Sequence, residues 1–174
     1  GNLLEDLLGI DENALPLPNA NEWELKAQRE GTASLATLFH GEPSPKAMRH
    51  MSTVLIPYYG WPHRDAGTKY PASEMSFRQT LTAGSFTDRG FTLVIDEKQE
   101  HIRLSFDASR ANAAKHGQWL QSVARRVGHL DDFSVERSPY FGFQDLERRV
   151  ADKLNNLVYV TAKVARRNGE EYLW

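Results

Sequence analysis

Alternating apolar and polar positions mark several strands along this chain. The clearest pattern covers 90–96 and 101–106, where every second residue is apolar and a polar segment separates the two runs. Side chains of a strand point alternately to its two faces, so this pattern predicts an antiparallel hairpin with one buried face. A shorter alternation at 23–27 predicts a further strand, and we expect the apolar run at 34–39 to return beside it as a second hairpin.

Apolar residues recur at helical spacing in other parts of the chain. This spacing predicts helices at 2–10, 46–56, 112–127 and 143–154. Runs typical of strands predict further strands at 76–82, at 157–164 and from 172 onward. We expect Pro57 to end the second helix and Gly128 to end the third. Helices and antiparallel strand pairs alternate irregularly, which is typical of an α/β or α+β domain with one mixed sheet flanked by helices.

Composition narrows the class of protein. A chain of 174 residues with 40% hydrophobic and 25% charged residues fits one globular domain with its own core, and no segment is long and apolar enough to span a membrane. The lack of cysteine rules out disulfides and thiolate metal sites, and it fits a reducing compartment. The net charge of −2 neither favours nor excludes DNA binding, because paired arginines at 125–126, 148–149 and 166–167 form local basic patches.

The stretch with the clearest chemistry is Glu24-Leu25-Lys26. In a strand, Glu24 and Lys26 share one face and Leu25 points to the other. A carboxylate can hold a hard cation such as Mg²⁺, and a neighbouring ammonium can orient a water and neutralise charge on a phosphate. Charged pairs at this spacing are also common on solvated strand faces, so a simple ion pair in a structural domain is an alternative interpretation.

Other catalytic signatures are missing from the sequence. The six histidines show no zinc-binding spacing, and the chain has no G-x-S-x-G elbow, no P-loop and no G-x-G-x-x-G motif. Upstream of the strand, Glu5 stands three residues after Asn2 in the first predicted helix. Glu5 is therefore either a helix-capping residue or a further active-site carboxylate.

An acidic helix residue followed by E-x-K on a strand resembles the pattern of the PD-(D/E)xK nuclease superfamily. Within that superfamily, the words Leu-Glu-Asp-Leu-Leu-Gly-Ile, Leu-Pro-Leu-Pro and Trp-Glu-Leu-Lys resemble the MvaI/BcnI family of restriction endonucleases, which is similar to the mismatch-repair nickase MutH. These words stand at 4–10, 15–18 and 23–26, and further agreement is found at 37–39, 59–61, 89–91 and 153–157. The resemblance therefore runs along nearly the whole chain.

This resemblance implies a restriction-endonuclease-like fold and Mg²⁺-dependent hydrolysis of double-stranded DNA by a monomer in the prokaryotic cytoplasm. In the family motif D-x4-E-x-K, Glu24 and the carbonyl of Leu25 would bind the metal, and Lys26 would orient the attacking water. Glu5 would bind a second ion or hold a water. The resemblance also implies that 1–174 is a single nuclease domain, truncated at both ends and lacking a C-terminal DNA-recognition lobe.

The chain departs from the family motif at Asn19, where the family has Asp. The neutral carbonyl oxygen of Asn is a weaker metal ligand than a carboxylate. Asn19 is then an inactivating substitution, a mark of a degenerate protein, or a change that the site tolerates at a reduced rate. A second expectation follows, that the chain is a catalytically inactive or weakened DNA-binding module of the same fold.

Overall fold

The fold was obtained as a computed structural model that describes residues 6, 8–10, 23–38, 40–133, 137–154, 156–168 and 170–173. Most of the predicted helix at 2–10, with Glu5, and all of 11–22, with Asn19, lie outside these residues. The chain divides into two compact units. The first unit combines 1–41 with 144–174, and the second unit is 42–143.

The described residues form short strands and two α-helices. The strands are β1 (Glu24–Arg29), β2 (Trp61–Pro62), β3 (Met75–Ser76), β4 (Phe91–Asp96), β5 (His101–Phe106), β6 (Tyr140–Gly142), β7 (Leu157–Ala162), β8 (Val164–Arg167) and β9 (Glu170–Leu173). The α-helices are α1 (Ala113–Val127) and α2 (Phe143–Leu154). A π-helix covers Met51–Tyr59, and two short 3₁₀ turns cover Lys46–Met48 and Ala108–Arg110. No helix in this described part of the chain has both the length and the apolar character needed to cross a bilayer.

In the first unit, β1 pairs in parallel with β7, and β8 pairs with β9 as an antiparallel hairpin. The strand predicted at 23–27 is therefore confirmed, but its predicted hairpin partner at 34–39 is wrong. Gly31 has a φ of +74° and starts a segment, 32–38, that forms no strand. Leu35 in that segment is 79% exposed, so its apolar character does not reflect burial in a sheet.

The second unit contains the predicted hairpin. Strands β4 and β5 pair from Phe91–Phe106 to Asp96–His101, and β6 adds to the free side of β5. Helix α1 begins after Asn112, whose side chain accepts a hydrogen bond from the Lys115 amide at 3.0 Å, and it ends at Gly128 with a φ of +88°. The hairpin and the two predicted α-helices, 112–127 and 143–154, are thus confirmed.

The segment around Pro57 differs from the prediction. The expected α-helix at 46–56 is a 3₁₀ turn followed by a π-helix, and Pro57 lies inside the π-helix instead of ending it. The helix ends at Gly60, where a Cβ atom would lie 2.4 Å from the Ile56 carbonyl oxygen, so glycine is required for the chain to turn there. The strand expected at 76–82 is limited to β3, which pairs with β2.

Burial differs between the two units. All nine buried hydrophobic side chains of the described residues belong to the second unit: Val54, Leu55, Tyr59, Phe77, Phe91, Leu104, Phe106, Val123 and Phe133. In the first unit, Glu24 is the one described residue that is buried. The predicted α+β class is confirmed, although the described strands form several small sheets rather than one mixed sheet.

Candidate functional site

Strand β1 places Glu24 and Lys26 on one face, as their spacing predicts. The Lys26 Nζ atom lies 2.5 Å from Glu24 Oε1. The side chain of Glu24 is 2% exposed and that of Lys26 is 22% exposed. A pair on a solvated strand would expose both charges, so this burial argues against the simple surface ion pair.

A second ammonium group approaches the same carboxylate. Lys153 lies in the last turn of α2, and its Nζ atom is 3.9 Å from Glu24 Oε1. A cation in this position also interacts favourably with the helix C-terminus. The sequence analysis did not assign a role to Lys153, because the contact depends on the parallel pairing of β1 with β7, which follows α2 directly. One carboxylate thus faces two lysines.

The second oxygen of Glu24, Oε2, is buried and forms no hydrogen bond with any of the described residues. A buried anionic oxygen without a partner is unfavourable by roughly 1–3 kcal/mol or more. A hard cation would satisfy this oxygen, and Mg²⁺ commonly binds to only one or two carboxylates while keeping several waters. Glu24 therefore fits as a metal ligand. Among the described residues, no group of three or more His, Asp or Glu side chains comes together, and Asn19 and Glu5 lie outside them.

The backbone of Leu25 faces away from β7. The Glu24 amide donates to the Asn156 carbonyl at 2.8 Å, and the Glu30 amide donates to the Ala162 carbonyl at 2.9 Å. Backbone groups alternate in direction along a strand, so the even-numbered residues of β1 face β7 and Leu25 faces the opposite edge. Its carbonyl lies in the plane of the sheet beside Glu24, and its role as a metal ligand stays a prediction.

The polar face of β1 continues beyond Lys26. Gln28 lies two residues further along, where its side-chain oxygen accepts a hydrogen bond from the Tyr159 hydroxyl and its amide donates to the Ser34 carbonyl. Tyr159 on β7 stands directly opposite Lys26 in the register. The sequence analysis missed these residues, because neither the partner strand nor the loop at 32–38 could be placed from local patterns.

Comparison with protein families gives one decisive match. The model of the MvaI/BcnI restriction endonuclease family matches residues 1–174, which is the whole chain. This chain belongs to the MvaI/BcnI family. The resemblance carried by its sequence words is therefore confirmed, whereas a comparison with curated protein sequences finds no match.

The fold of this chain is similar to that of solved restriction endonuclease structures. The structure of restriction endonuclease MvaI in complex with its cognate DNA substrate is similar, with a TM-score of 0.71 and 22% sequence identity. That similarity covers 99% of this chain and 60% of the MvaI chain. MvaI in the absence of DNA gives a TM-score of 0.49 at 20% identity, over 97% of this chain and 56% of that one. The predicted restriction-endonuclease-like fold is thereby confirmed, in a chain that spans about three fifths of the relative.

Proposed function

We propose that this MvaI/BcnI family member is an endodeoxyribonuclease that hydrolyses phosphodiester bonds in double-stranded DNA, acts as a monomer and requires Mg²⁺. One observation carries the proposal. Glu24 is buried on β1 with one oxygen beside the Lys26 and Lys153 ammonium groups and the other without a partner in the part of the chain that the structure describes. A carboxylate in this state suits a site that takes up a cation next to a phosphate.

Different residues of the site would contact the metal and the phosphate. Glu24 Oε2 and the Leu25 carbonyl would hold the ion, with the Asn19 amide oxygen as a weaker ligand and Glu5 at a second ion or a water. When bound, Mg²⁺ supplies a Lewis acid that polarises the phosphate and lowers the pKa of a water. Lys26 keeps donors beyond its contact with Glu24, since an ammonium has three, and one of these would orient the attacking water.

Lys153 extends this assignment. Hydrolysis of a phosphodiester builds negative charge on the phosphate oxygens, and fixed cations stabilise that charge most strongly where water is excluded. The Lys26 and Lys153 side chains are 22% and 24% exposed, so both ammonium groups are partly shielded from solvent. We therefore assign Lys153 to the neutralisation of the phosphate, while Lys26 positions the water.

Asn19 favours a second candidate function. A neutral amide at the family Asp position would bind Mg²⁺ more weakly, which gives a DNA-binding module with little or no cleavage. Both candidates predict DNA binding that weakens with salt. They differ in what happens when the carboxylate is restored.

Nicking of supercoiled plasmid tests both candidates. The full chain, Asn19→Asp and Lys26→Ala are compared over a series of Mg²⁺ concentrations, with Lys163→Ala as a charge-matched control. Lys163 pairs with Glu30 at 3.7 Å, at the other end of β1. We expect Asn19→Asp to nick faster at low Mg²⁺, Lys26→Ala to lose nicking and Lys163→Ala to match the parent. If Asn19→Asp binds DNA but never nicks, the chain is a binding module, and if no variant differs from the parent, the site is misassigned.

A further inference from the structure

A cluster centred on an arginine lies in the second unit, on residues that the candidate site at Glu24 does not use. The Arg89 guanidinium lies over the ring of Trp61, at 4.3 Å from the centroid, and over the ring of Trp119, at 5.2 Å. The two rings meet at 79° and form a corner around it. Stacking on aromatic faces fixes a guanidinium in one plane and leaves its N–H edge available.

One nitrogen of Arg89 contacts a histidine. Arg89 Nη1 lies 2.6 Å from His116 Nδ1. Arginine has no acceptor, so Nδ1 accepts this hydrogen bond and the ring proton of a neutral His116 is on Nε2. Nε2 in turn lies 3.1 Å from Asp88 Oδ2, close enough for electrostatic attraction but poorly aligned for a hydrogen bond. His116 thus stands between the arginine and the nearby carboxylate.

Asp88 interacts with Lys115 and His116. Lys115 Nζ lies 2.5 Å from Asp88 Oδ2. The hydrogen bond from Lys115 and then the neighbouring His116 ring lower the pKa of Asp88 to about 2, so this carboxylate stays ionised and serves those two partners. Within the part of the chain that the structure describes, no carboxylate forms an ion pair with Arg89.

Arg89 is therefore a half-buried cation that no carboxylate of the described residues contacts in an ion pair. Burial lowers the pKa of its guanidinium, and the charge of the neighbouring Asp88 offsets this only in part. Burying a charge without an ionic partner is unfavourable, and contacts with two aromatic faces compensate for this only in part. An anion that approaches the open edge of the guanidinium would supply the missing charge.

We propose that Arg89, held by Trp61 and Trp119, binds a phosphate group of the DNA backbone through residues that the Glu24 site does not use. The proposal rests on the proposed function, because it takes DNA as the ligand. A phosphate offers two oxygens in the plane of the guanidinium, so both can accept N–H bonds from its free edge. The aromatic corner and His116 pre-position the arginine, and binding therefore requires little ordering of its side chain.

A matched control is available in the same unit. The Arg110 guanidinium also lies over an aromatic ring, that of Phe86, at 5.6 Å. However, Arg110 has a counter-ion in Asp107, at 3.9 Å, and its side chain is 65% exposed. Loss of this arginine removes the same charge without removing an unbalanced cation.

The test measures duplex affinity in Ca²⁺ over a range of salt concentrations, for the full chain, Arg89→Gln, Arg89→Lys and Arg110→Gln. We expect Arg89→Gln to bind on the order of tenfold more weakly and to reduce the slope of log K against log salt by about 0.9, the value for one lost phosphate contact. Arg89→Lys should keep the slope with weaker binding, and Arg110→Gln should match the parent. A merely structural arginine would not change the slope, because the slope counts phosphate contacts.

Two results would overturn this assignment. If Arg89→Gln keeps the parental slope, whatever its affinity, Arg89 does not bind phosphate. If the parent itself fails to bind duplex at low salt, the proposed function fails as well. Plasmid nicking by the parent chain separates the two cases, since the proposed function requires nicking and the Arg89 assignment by itself does not.

Discussion

Replacing Lys153 with Met removes the second ammonium from Glu24 and keeps the length and apolar character of the side chain. Lys26 and Lys153 are about equally shielded, so their electrostatic effects at Glu24 scale with inverse distance. Lys153 Nζ lies 3.9 Å from Glu24 Oε1 and Lys26 Nζ lies 2.5 Å from it, so the two distances differ by a factor of about 1.6. If loss of Lys26 slows cleavage by about 10³-fold, as is typical for one pre-positioned charge, loss of Lys153 should slow it by about 10²-fold.

Single-turnover nicking at saturating Mg²⁺ and DNA is the appropriate assay, because it reports the chemical step rather than binding. Lys26→Met and Lys153→Met are compared with Lys163→Met, which lowers the charge equally at the far end of the β1–β7 pair. The control should cleave at the parental rate. Parental cleavage by Lys153→Met, together with a large loss in Lys26→Met, would refute the reasoning from charge and distance.

Two further predictions concern the second unit. Asp132 accepts hydrogen bonds from Arg103 and three other donors, and although burial raises its pKa, these bonds outweigh burial and hold the pKa below the ordinary carboxyl value. Asp132→Asn should lower the free energy of unfolding by about 1–2 kcal/mol at pH 7, after allowance for partial exposure. A carboxyl pKa that is depressed in the folded state stabilises the protein at pH values above the unfolded pKa of about 3.9. The thermal melts of the parent and of Asp132→Asn should therefore converge as the pH falls below that value, and a difference that stays constant with pH would contradict this. Gly90→Ala should be destabilising by at least about 3 kcal/mol, since its Cβ would lie 2.3 Å from the Asp107 carbonyl oxygen. Gly84→Ala shares the φ of +81° without that contact and should lose only ~1 kcal/mol in the same thermal melts, so equal losses would point to backbone strain alone.

Local periodicity was enough to predict the elements whose partners are close in sequence. Strands β4 and β5 are joined by a short turn, and α1 and α2 show helical spacing together with clear stop signals at Gly128 and after Leu154. In such elements the alternation of apolar residues, the turn and the cap all favour the same structure. Their bounds in the structure agree with the sequence analysis to within a residue or two.

Elements that depend on distant partners could not be predicted in the same way. The apolar run at 34–39 follows β1 and contains strand-forming residues, yet the partner of β1 comes from 157–162. Pro57 is a strong stop signal for an α-helix, but the wider hydrogen bonding of a π-helix continues past it as far as Gly60. In the first case, tertiary pairing outweighs local propensity.

The candidate site shows the same division. The shared face of Glu24 and Lys26 follows from strand geometry alone, and the sequence analysis predicted it. The partner strand β7 and the approach of Lys153 from α2 come from residues that lie far along the chain. The Arg89 cluster likewise joins residues from three separate segments. Sequence patterns therefore locate the chemistry but not the environment that sets its strength.

The parallel pairing of β1 with β7 has a consequence for synthesis of the protein. The first hydrogen bond of this pair joins Glu24 to Asn156, so a ribosome-bound chain must extend beyond 162 before β1 has its neighbour. Contacts between such distant segments form late, because closing a long loop is entropically unfavourable. We therefore expect the candidate site at Glu24 to form only after the hairpin unit of 42–143 has folded, so the proposed activity would begin only when most of this chain has left the ribosome.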